Sequence, residues 1–184
     1  LEVEFLEVCH SISAGVALAI KTPAGLMVHS GDFKIDHTPV DGEGTDISRF
    51  GKLGQEGVLL LLSDSTNADE PGYTASEKTV GETFENLFKR ISSRIIITTF
   101  ASNIHRVQQA INVAHAHGRR IAILGRSMQI VSRKAKELGY LNIPEDSLIS
   151  PEEIETFPPE KLAITTTGSQ GEPLSALYRM ALNE

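Results

Sequence analysis

The sequence predicts an α/β protein made of two sections with different element patterns. In residues 1–73, short apolar runs separated by turn residues predict a mainly β section. From residue 74 onward, apolar positions at helical spacing alternate with short β-branched runs, which predicts βαβ units around a parallel sheet. The length of 184 residues, 40% of them hydrophobic, is sufficient for a buried core. We therefore expect two domains, residues 1–73 and residues 74–184.

Four strands are expected in the first section. Residues 2–8 alternate between polar and apolar side chains, and residues 22–25 form a turn between two further apolar runs. The run from Val58 to Leu62 is apolar without interruption, which is typical of a strand buried on both faces. Residues 37–57 predict a loop with one short helix. The predicted strands are residues 2–8, 15–20, 26–29 and 58–62.

The second section begins with a predicted capping box, Thr74 to Glu77, followed by a helix. Ser102 or Asn103 is expected to cap the next helix, and Ser127 the one after it. Pro173 is expected in the first turn of the last helix, where proline is tolerated. Apolar residues predicted to face inward from the two middle helices are Ile104, Val107, Ile111 and Ala114, then Met128, Val131, Ala135 and Leu138.

The charge is distributed unevenly along the chain. The net charge of −7 argues against a generic nucleic-acid-binding protein. Residues 89–139 nevertheless contain ten lysines and arginines and one glutamate, a charge of +9. Such a segment could contact a polyanion, or it could consist of solvated helix faces.

The sequence contains few features that indicate membrane insertion, secretion or disulfide bonding. No apolar run approaches the roughly 18 residues that a membrane helix needs, so we expect no membrane association and no signal peptide. The single cysteine, Cys9, argues against a disulfide scaffold and favours a reducing compartment. Because the chain starts in strand-like alternation without Met, we also expect that it begins inside a domain.

Three polar junctions fall where predicted strands lead into helices: Ser102-Asn103, Gly125-Arg126-Ser127 and Gly168-Ser169-Gln170-Gly171. Ligands of parallel sheets bind at the carboxyl ends of the strands, next to free helix amides. The junctions could therefore form a phosphate cradle, although the same residue types also cap helices without binding anything.

His10, Asp32 and Asp64 each follow a predicted strand in the acidic section. A histidine nitrogen and carboxylate oxygens at one sheet edge could hold a metal ion. Spacing alone supports this metal site only weakly.

The local motifs around these residues resemble those of a known family. Val8-Cys9-His10-Ser11-Ile12, Ser30-Gly31-Asp32-Phe33-Lys34-Ile35-Asp36 and Leu62-Ser63-Asp64-Ser65-Thr66-Asn67 occur in this order. They resemble the second half of a metallo-β-lactamase-fold domain leading into a β-CASP domain. Together with residues 100–106 and 167–173, they resemble the bacterial ribonuclease J family over nearly the whole chain. The resemblance implies the C-terminal half of an αββα metallo-β-lactamase sheet, followed by a Rossmann-like β-CASP domain that is incomplete at its C-terminus.

The resemblance also implies roles for single residues. His10 would be a ligand of a two-zinc centre, in which manganese is an alternative metal, and Asp32 would bridge the two ions. Asp64 would be a catalytic residue that orients a histidine near the scissile phosphate. RNA phosphates would be bound by Ser102, Asn103, His105, Arg106, Ser169 and Gln170.

For the parent enzyme, the resemblance implies a zinc-dependent ribonuclease of the cytoplasm. It would degrade mRNA and mature RNA, including rRNA, as a 5′-to-3′ exonuclease and as an endonuclease. Its partners would be RNA, preferentially 5′-monophosphorylated, and a second subunit in a homodimer, a homotetramer or a complex with a paralogue. The family's His-x-His-x-Asp-His motif would lie before residue 1, and its later histidines beyond Glu184. We therefore expect the isolated chain to be inactive.

Two other functions are compatible with the residues. One is a different β-CASP nuclease, acting on RNA 3′-ends or DNA. The other is a non-catalytic α/β module that binds phosphate or RNA.

Overall fold

A computed structural model describes residues 1–182 and divides the chain into two compact units, Leu1–Lys78 and Thr79–Glu184. Each unit contains one β-sheet and its own apolar core. The predicted α/β class is thus confirmed, with helices packed on sheets and a parallel sheet in the second unit. No helix among residues 1–182 is both long enough and apolar enough to cross a bilayer.

The first unit is a four-stranded sheet with one helix on it. The strands lie in sequence order, with β1, β2 and β3 antiparallel and β4 parallel to β3. The elements are β1 (Glu2–Val8), β2 (Gly15–Thr22), β3 (Gly25–His29), α1 (Ile47–Glu56) and β4 (Val58–Leu62).

Helix α1 covers one face of this sheet. Leu53 of α1 packs into the cluster formed by Leu6, Val8, Ala17, Ala19, Leu26 and Val28. Arg49 fixes the helix to β1, because its Nε and Nη2 donate to the two carboxylate oxygens of Glu4 at 2.6 and 2.7 Å. This bidentate pair lowers the pKa of Glu4.

The predicted burial of β4 on both faces is wrong for this chain. Its five residues are all exposed, from 36% for Val58 to 63% for Leu59. The strand lies at the edge of the sheet, and β3 is its one neighbouring strand within residues 1–182. Val3, Phe5 and Val16 are also exposed, so the sheet shows an apolar face as well as an apolar edge.

The second unit is a four-stranded parallel sheet in the order β5-β8-β6-β7. Its elements are α2 (Lys78–Arg90), β5 (Ile95–Thr98), α3 (Ile104–Ala116), β6 (Arg120–Ile123), α4 (Arg126–Glu137), β7 (Leu148–Ile149), two 3₁₀ helices (Pro151–Thr156 and Pro159–Lys161), β8 (Leu162–Thr166) and α5 (Ala176–Leu182). Residues of α2, α3 and α4 share the larger core cluster with β5, β6 and β8. The other face of the sheet is covered by Ile154 and Phe157.

Three predicted helix starts differ from the structure. Helix α2 begins at Lys78, after the predicted capping box. Gly125, not Ser127, is the N-cap of α4, since its positive φ of 96° turns the chain from β6 into the helix. Helix α5 begins at Ala176, so Pro173 lies in the preceding loop.

The predicted inner faces of the middle helices are largely confirmed. Ile104, Val107, Ile111 and Ala114 of α3 are all buried, as are Met128 and Ala135 of α4. Leu138, however, is 70% exposed, because α4 ends at Glu137 and Leu138 caps it.

Arg119, one of the ten basic residues of segment 89–139, is buried. Its Nη1 donates to the carbonyl oxygens of Ser93 at 2.7 Å and Leu162 at 3.4 Å, and its Nη2 donates to that of Ile91. The guanidinium also lies over the ring of Phe88, 5.5 Å from its centroid. Arg119 therefore joins the end of α2 to the start of β8 and does not face a polyanion.

Candidate functional site

Asp32 and Asp64 lie at the same edge of the sheet in the first unit. They follow β3 and β4, which are parallel neighbours, so both strands bring their carboxyl ends to that edge. The two aspartates line one open cavity of about 510 Å³ together with His29, Gly31 and Ser63.

Ser30 connects the two strand ends beneath this cavity. Its amide donates to the carbonyl of Leu62 at 2.9 Å, and its buried hydroxyl accepts the amide of Asp64 at 2.8 Å. The next residue, Gly31, has a φ of +61°, and a Cβ there would lie 2.7 Å from the carbonyl oxygen of Val16. Only glycine fits this approach without strain, and it sets the position of Asp32.

The Asp64 carboxylate is held in its charged form. The amide and hydroxyl of Thr66 both donate to Asp64 Oδ1, at 2.9 and 2.8 Å, and they lower the pKa of Asp64. A smaller contribution comes from the amide of Phe33. Asp64 is therefore negatively charged at neutral pH, and its Oδ1 already accepts two hydrogen bonds from Thr66.

His10 is half-buried and follows the end of β1. Its neighbour Cys9 is also half-buried: the Cys9 amide donates to Thr45 Oγ1 at 3.0 Å, and the Cys9 carbonyl accepts the amide of Lys34 at 2.7 Å. These bonds tie the His10 segment to the chain that follows Asp32.

Within residues 1–182, no group of three or more histidine, cysteine, aspartate or glutamate side chains is arranged to hold a metal ion. The described chain thus places the two predicted ligands, His10 and the exposed Asp32, in one unit but does not complete a metal centre by itself.

Asp36 is a buried carboxylate that is not among the predicted site residues. Its Oδ1 accepts the amide of Thr38 at 3.0 Å and its Oδ2 the amide of Glu77 at 3.1 Å, while Lys34 Nζ lies 3.4 Å away. Burial acts to raise the pKa of Asp36, but these donors outweigh burial and lower it. Its position four residues after Asp32 was the only available signal, and Asp36 anchors the loop that carries Asp32.

The predicted RNA-binding residues at the start of α3 divide into exposed and structural groups. Asn103 is buried, and its Oδ1 accepts the amide of Arg106 at 3.1 Å as the N-cap of α3. Ser102 is exposed, and His105 and Arg106 are half-buried in the first turn. The side-chain oxygen of Asn103 is thus occupied by helix capping, whereas the Ser102 hydroxyl faces solvent.

The N-terminus of α4 opens onto a cavity of about 390 Å³ at the carboxyl edge of the parallel sheet. Gly125 caps α4 without a side-chain hydrogen bond, so it leaves first-turn amides available. Arg126 and Arg179 supply two positive charges, and Glu172 supplies one negative charge. The cavity, which we call the α4 pocket, is lined by Ala101, Gly125–Ser127, Thr167, Glu172–Ala176 and Arg179.

The loop after β8 forms one wall of the α4 pocket. Gly168 is buried with a φ of +121°, and a Cβ there would lie 2.7 Å from the Cβ of Leu177. Ser169 and Gln170 are exposed at the tip of the loop, where the Gln170 amide donates to Glu172 Oε2 at 3.2 Å. These two predicted phosphate-binding residues lie outside the pocket lining, whereas Arg179, which sequence reasoning missed, belongs to it. Arg179 could have been predicted as a pocket residue only if the start of α5 at Ala176 had been predicted correctly.

The second unit matches a family model. The model of the β-CASP domain of ribonuclease J matches residues 92–184, about half of the chain.

Curated relatives match nearly all of the chain. A ribonuclease J of Helicobacter pylori (strain ATCC 700392 / 26695) is 50% identical over 182 residues, which are 99% of this chain and 26% of that protein. A ribonuclease J of Synechocystis is 46% identical over 99% of this chain and 28% of the relative. Ribonuclease J2 of Bacillus subtilis is 44% identical over 98% of this chain and 32% of the relative. The chain thus spans about a quarter to a third of the length of these relatives.

A solved structure shares the fold at low sequence identity. It is described as a protein of unknown function from Enterococcus faecalis V583, and it superposes with a TM-score of 0.61 and 14% identity over 98% of this chain and 48% of that chain. The fold, the domain match and the relatives agree, and the chain belongs to the ribonuclease J family, with residues 92–184 corresponding to its β-CASP domain.

Proposed function

We propose that this chain supplies part of a metal-dependent ribonuclease that hydrolyses RNA phosphodiester bonds. The observation that carries the proposal is the pairing of Asp32 and Asp64 on one cavity in a chain that belongs to the ribonuclease J family. In the parent protein, the activity would be 5′-to-3′ exonucleolytic and endonucleolytic, and it would serve mRNA decay and the maturation of rRNA and other RNA in the cytoplasm.

The metal part of the proposal requires more ligands than the described residues provide. His10 and Asp32 would supply one nitrogen and one carboxylate to a pair of zinc or manganese ions, and Asp64 would act beside them. Such ions would stabilise the charge that develops during phosphodiester hydrolysis. Since residues 1–182 do not assemble a group of three ligands, the remaining ligands would have to come from elsewhere in a longer protein.

The α4 pocket is the proposed phosphate site. Free amides at the start of a twelve-residue helix and two arginines favour an anion there, and the single glutamate leaves the lining with a net positive charge. Ser102 lies in the turn between β5 and α3, and His105 and Arg106 lie in the first turn of α3, at the same carboxyl edge of the sheet. We propose that this edge binds the backbone of 5′-monophosphorylated RNA.

Assembly of the parent into a homodimer, a homotetramer or a complex with a paralogue remains part of the proposal. A second candidate function is a non-catalytic RNA-binding module. One observation favours it: the described residues form the positively charged α4 pocket but contain no group of three side chains that could hold a metal ion.

Removing the two arginines of the α4 pocket tests the phosphate site. We expect the double variant Arg126→Gln/Arg179→Gln to bind a 5′-phosphorylated RNA decamer about tenfold more weakly, because two phosphate contacts are lost. The slope of log affinity against log salt should also become shallower by about 1.4, or 0.7 for each contact with a single strand. Fluorescence anisotropy between 50 and 200 mM salt measures both quantities.

The matched control removes two exposed charges of α4 that form no ion pair within the described residues, in Arg133→Gln/Lys136→Gln. Equal weakening in both double variants would show general charge attraction and contradict a phosphate site at the α4 pocket. A parallel titration with Ser102→Ala and with a 5′-hydroxyl decamer determines whether Ser102 and the terminal phosphate contribute to binding.

A further inference from the structure

A second cavity of about 470 Å³ lies between α4 and β7, at the edge of the parallel sheet. It shares no lining residue with the α4 pocket, so it is a separate site. We call it the β7 cavity. Its lining residues are Ile123, Gln129, Ser132, Arg133, Lys136, Ile143, Leu148, Ile149, Ser150 and Pro151.

The two walls of the β7 cavity differ in chemistry. The wall formed by β7 and its neighbouring loops is mainly apolar, with Ile143, Leu148, Ile149 and Pro151 beside Ser150. The wall formed by α4 carries four polar side chains at helical spacing, Gln129, Ser132, Arg133 and Lys136. A ligand that fits both walls must have an apolar body and a polar group on one side.

Ser132 lacks a hydrogen-bond partner on the polar wall. The residue is only 3% exposed, and its Oγ bonds to no other group among residues 1–182. A buried hydroxyl without a partner costs about 1–3 kcal/mol, so a ligand acceptor at this point would recover stabilisation. On the same wall, Gln129 Nε2 uses one of its two N–H groups to donate to the carbonyl of Ile123 at 3.0 Å.

The charged groups at the rim are cationic. Arg133 and Lys136 are exposed and form no ion pair within the described part of the chain, whereas the neighbouring Lys134 pairs with Glu137 at 2.6 Å. Two glutamates follow Pro151, and neither belongs to the lining: the carboxylate of Glu153 accepts the amide of Ser150 at 2.8 Å, whereas Glu152 is exposed. The ligand group that complements this rim is an anion.

The lining also argues against a nucleobase. Sites that take up single bases stack them on aromatic side chains, and none of the ten lining residues is aromatic. An aliphatic body needs no stacking partner, and the apolar wall of isoleucine, leucine and proline suits it.

We propose that the β7 cavity binds a small amphipathic carboxylate with an aliphatic body. The chain of the ligand lies against Ile143, Leu148 and Ile149. Its carboxylate accepts a hydrogen bond from Ser132 Oγ and lies between Arg133 and Lys136. This binding activity is independent of RNA cleavage and of the α4 pocket.

Octanoate is the probe that tests the proposal. We titrate the 184-residue chain with octanoate and follow methyl chemical shifts by NMR. We expect saturable shifts at Ile143, Leu148 and Ile149 with a Kd of about 1 mM, in the range of a small ligand with few polar contacts. Octanol, which keeps the chain but lacks the charge, should bind at least about fivefold more weakly.

Variants on α4 separate the site from general association. Ser132→Ala and Lys136→Gln should each weaken octanoate binding several-fold, while Lys134→Gln, which removes a charge already paired on the same helix, should leave the Kd unchanged. Equal weakening in Lys134→Gln and Lys136→Gln would contradict the proposed carboxylate position.

Three results would overturn the proposal. The first is a set of shifts that do not saturate up to 20 mM octanoate, about twenty times the expected Kd. The second is a set of shifts confined to the exposed apolar face of the first unit, at Val3 and Phe5. The third is displacement of octanoate from the β7 cavity by uridine monophosphate at a lower concentration than that of octanoate. The last result would assign the cavity to nucleotides instead.

Discussion

Replacing Arg119 with methionine should lower the free energy of unfolding of the second unit by about 3 kcal/mol. The methionine fills much of the same volume but cannot donate, so the carbonyl oxygens of Ile91, Ser93 and Leu162 lose their common donor. Each hydrogen bond to a charged group contributes about 1.5–3 kcal/mol, and the 3.4 Å bond to Leu162 lies at the weak end. The cation–π contact with Phe88 is lost as well.

Amide hydrogen exchange is the suitable measurement, because it reports each unit separately. The amides of β8 should exchange faster in Arg119→Met by a factor of about 100–200, which corresponds to 3 kcal/mol. Amides of β2 in the first unit serve as an internal reference and should not change. Arg133→Met, an exposed substitution on α4, should alter β8 exchange by less than about 0.5 kcal/mol. Unchanged β8 exchange in Arg119→Met would show that the buried guanidinium contributes nothing to stability.

Arg119 also shows why charge patterning alone gave an incomplete account of segment 89–139. The sequence places ten basic residues there, but nothing local distinguishes one that donates to buried carbonyls from those that face water. Lys89 is paired with Glu85, which lies outside the segment, and this further reduces the charge available to a polyanion. The +9 total therefore overestimates the free positive charge.

The elements themselves were largely predictable, since periodicity identifies them directly. The inner face of α3 and the alternating strands and helices of the second unit follow from spacing alone. The environment of a strand does not follow from spacing: β4 is as apolar as a central strand, yet it lies at a sheet edge and is exposed. The apolar composition of a strand does not indicate whether it lies at the centre or at the edge of a sheet, because the tertiary structure determines its neighbours.

The first residue of each helix and the residues that line the α4 pocket were harder to predict, because both depend on backbone geometry. Several capping residues stand close together before each helix, and backbone geometry selects among them, as Gly125 replaces Ser127 at α4. The shift of α5 to Ala176 brings Arg179 into the α4 pocket and leaves Ser169 and Gln170 outside its lining. The sequence places Asp32 and Asp64 each directly after a predicted strand. In the structure these two strands are parallel neighbours, so the two aspartates lie at the same sheet edge.

The isolated 184-residue chain should release no RNA fragments above the no-protein background when zinc or manganese is supplied. Its described residues contain no group of three side chains that could hold a metal, so His10 and Asp32 alone would bind an ion too weakly for catalysis. Gel analysis of a 5′-labelled RNA after prolonged incubation checks this expectation. Cleavage that copurifies with the chain and disappears in Asp32→Asn would show that the chain is sufficient for activity.

Exchange of the corresponding segment in a relative tests the central claim most directly. In the Helicobacter pylori ribonuclease J, the matching 182 residues are replaced by those of this chain, which are 50% identical. If the chain supplies the proposed metal-site and RNA-binding residues of a ribonuclease, the exchanged protein should cleave RNA within about tenfold of the unexchanged one, a difference of 1.4 kcal/mol.

Asp32→Asn in the exchanged protein should then lower the cleavage rate by about 10³-fold, since the loss of a carboxylate at a metal site removes several kcal/mol of stabilisation. Asp69→Asn, at an exposed position shortly after Asp64, is the matched control and should leave the rate unchanged. We expect that only the Asp32 variant loses activity. A folded exchanged protein that cleaves RNA equally fast with Asp32→Asn and with Asp69→Asn would contradict it.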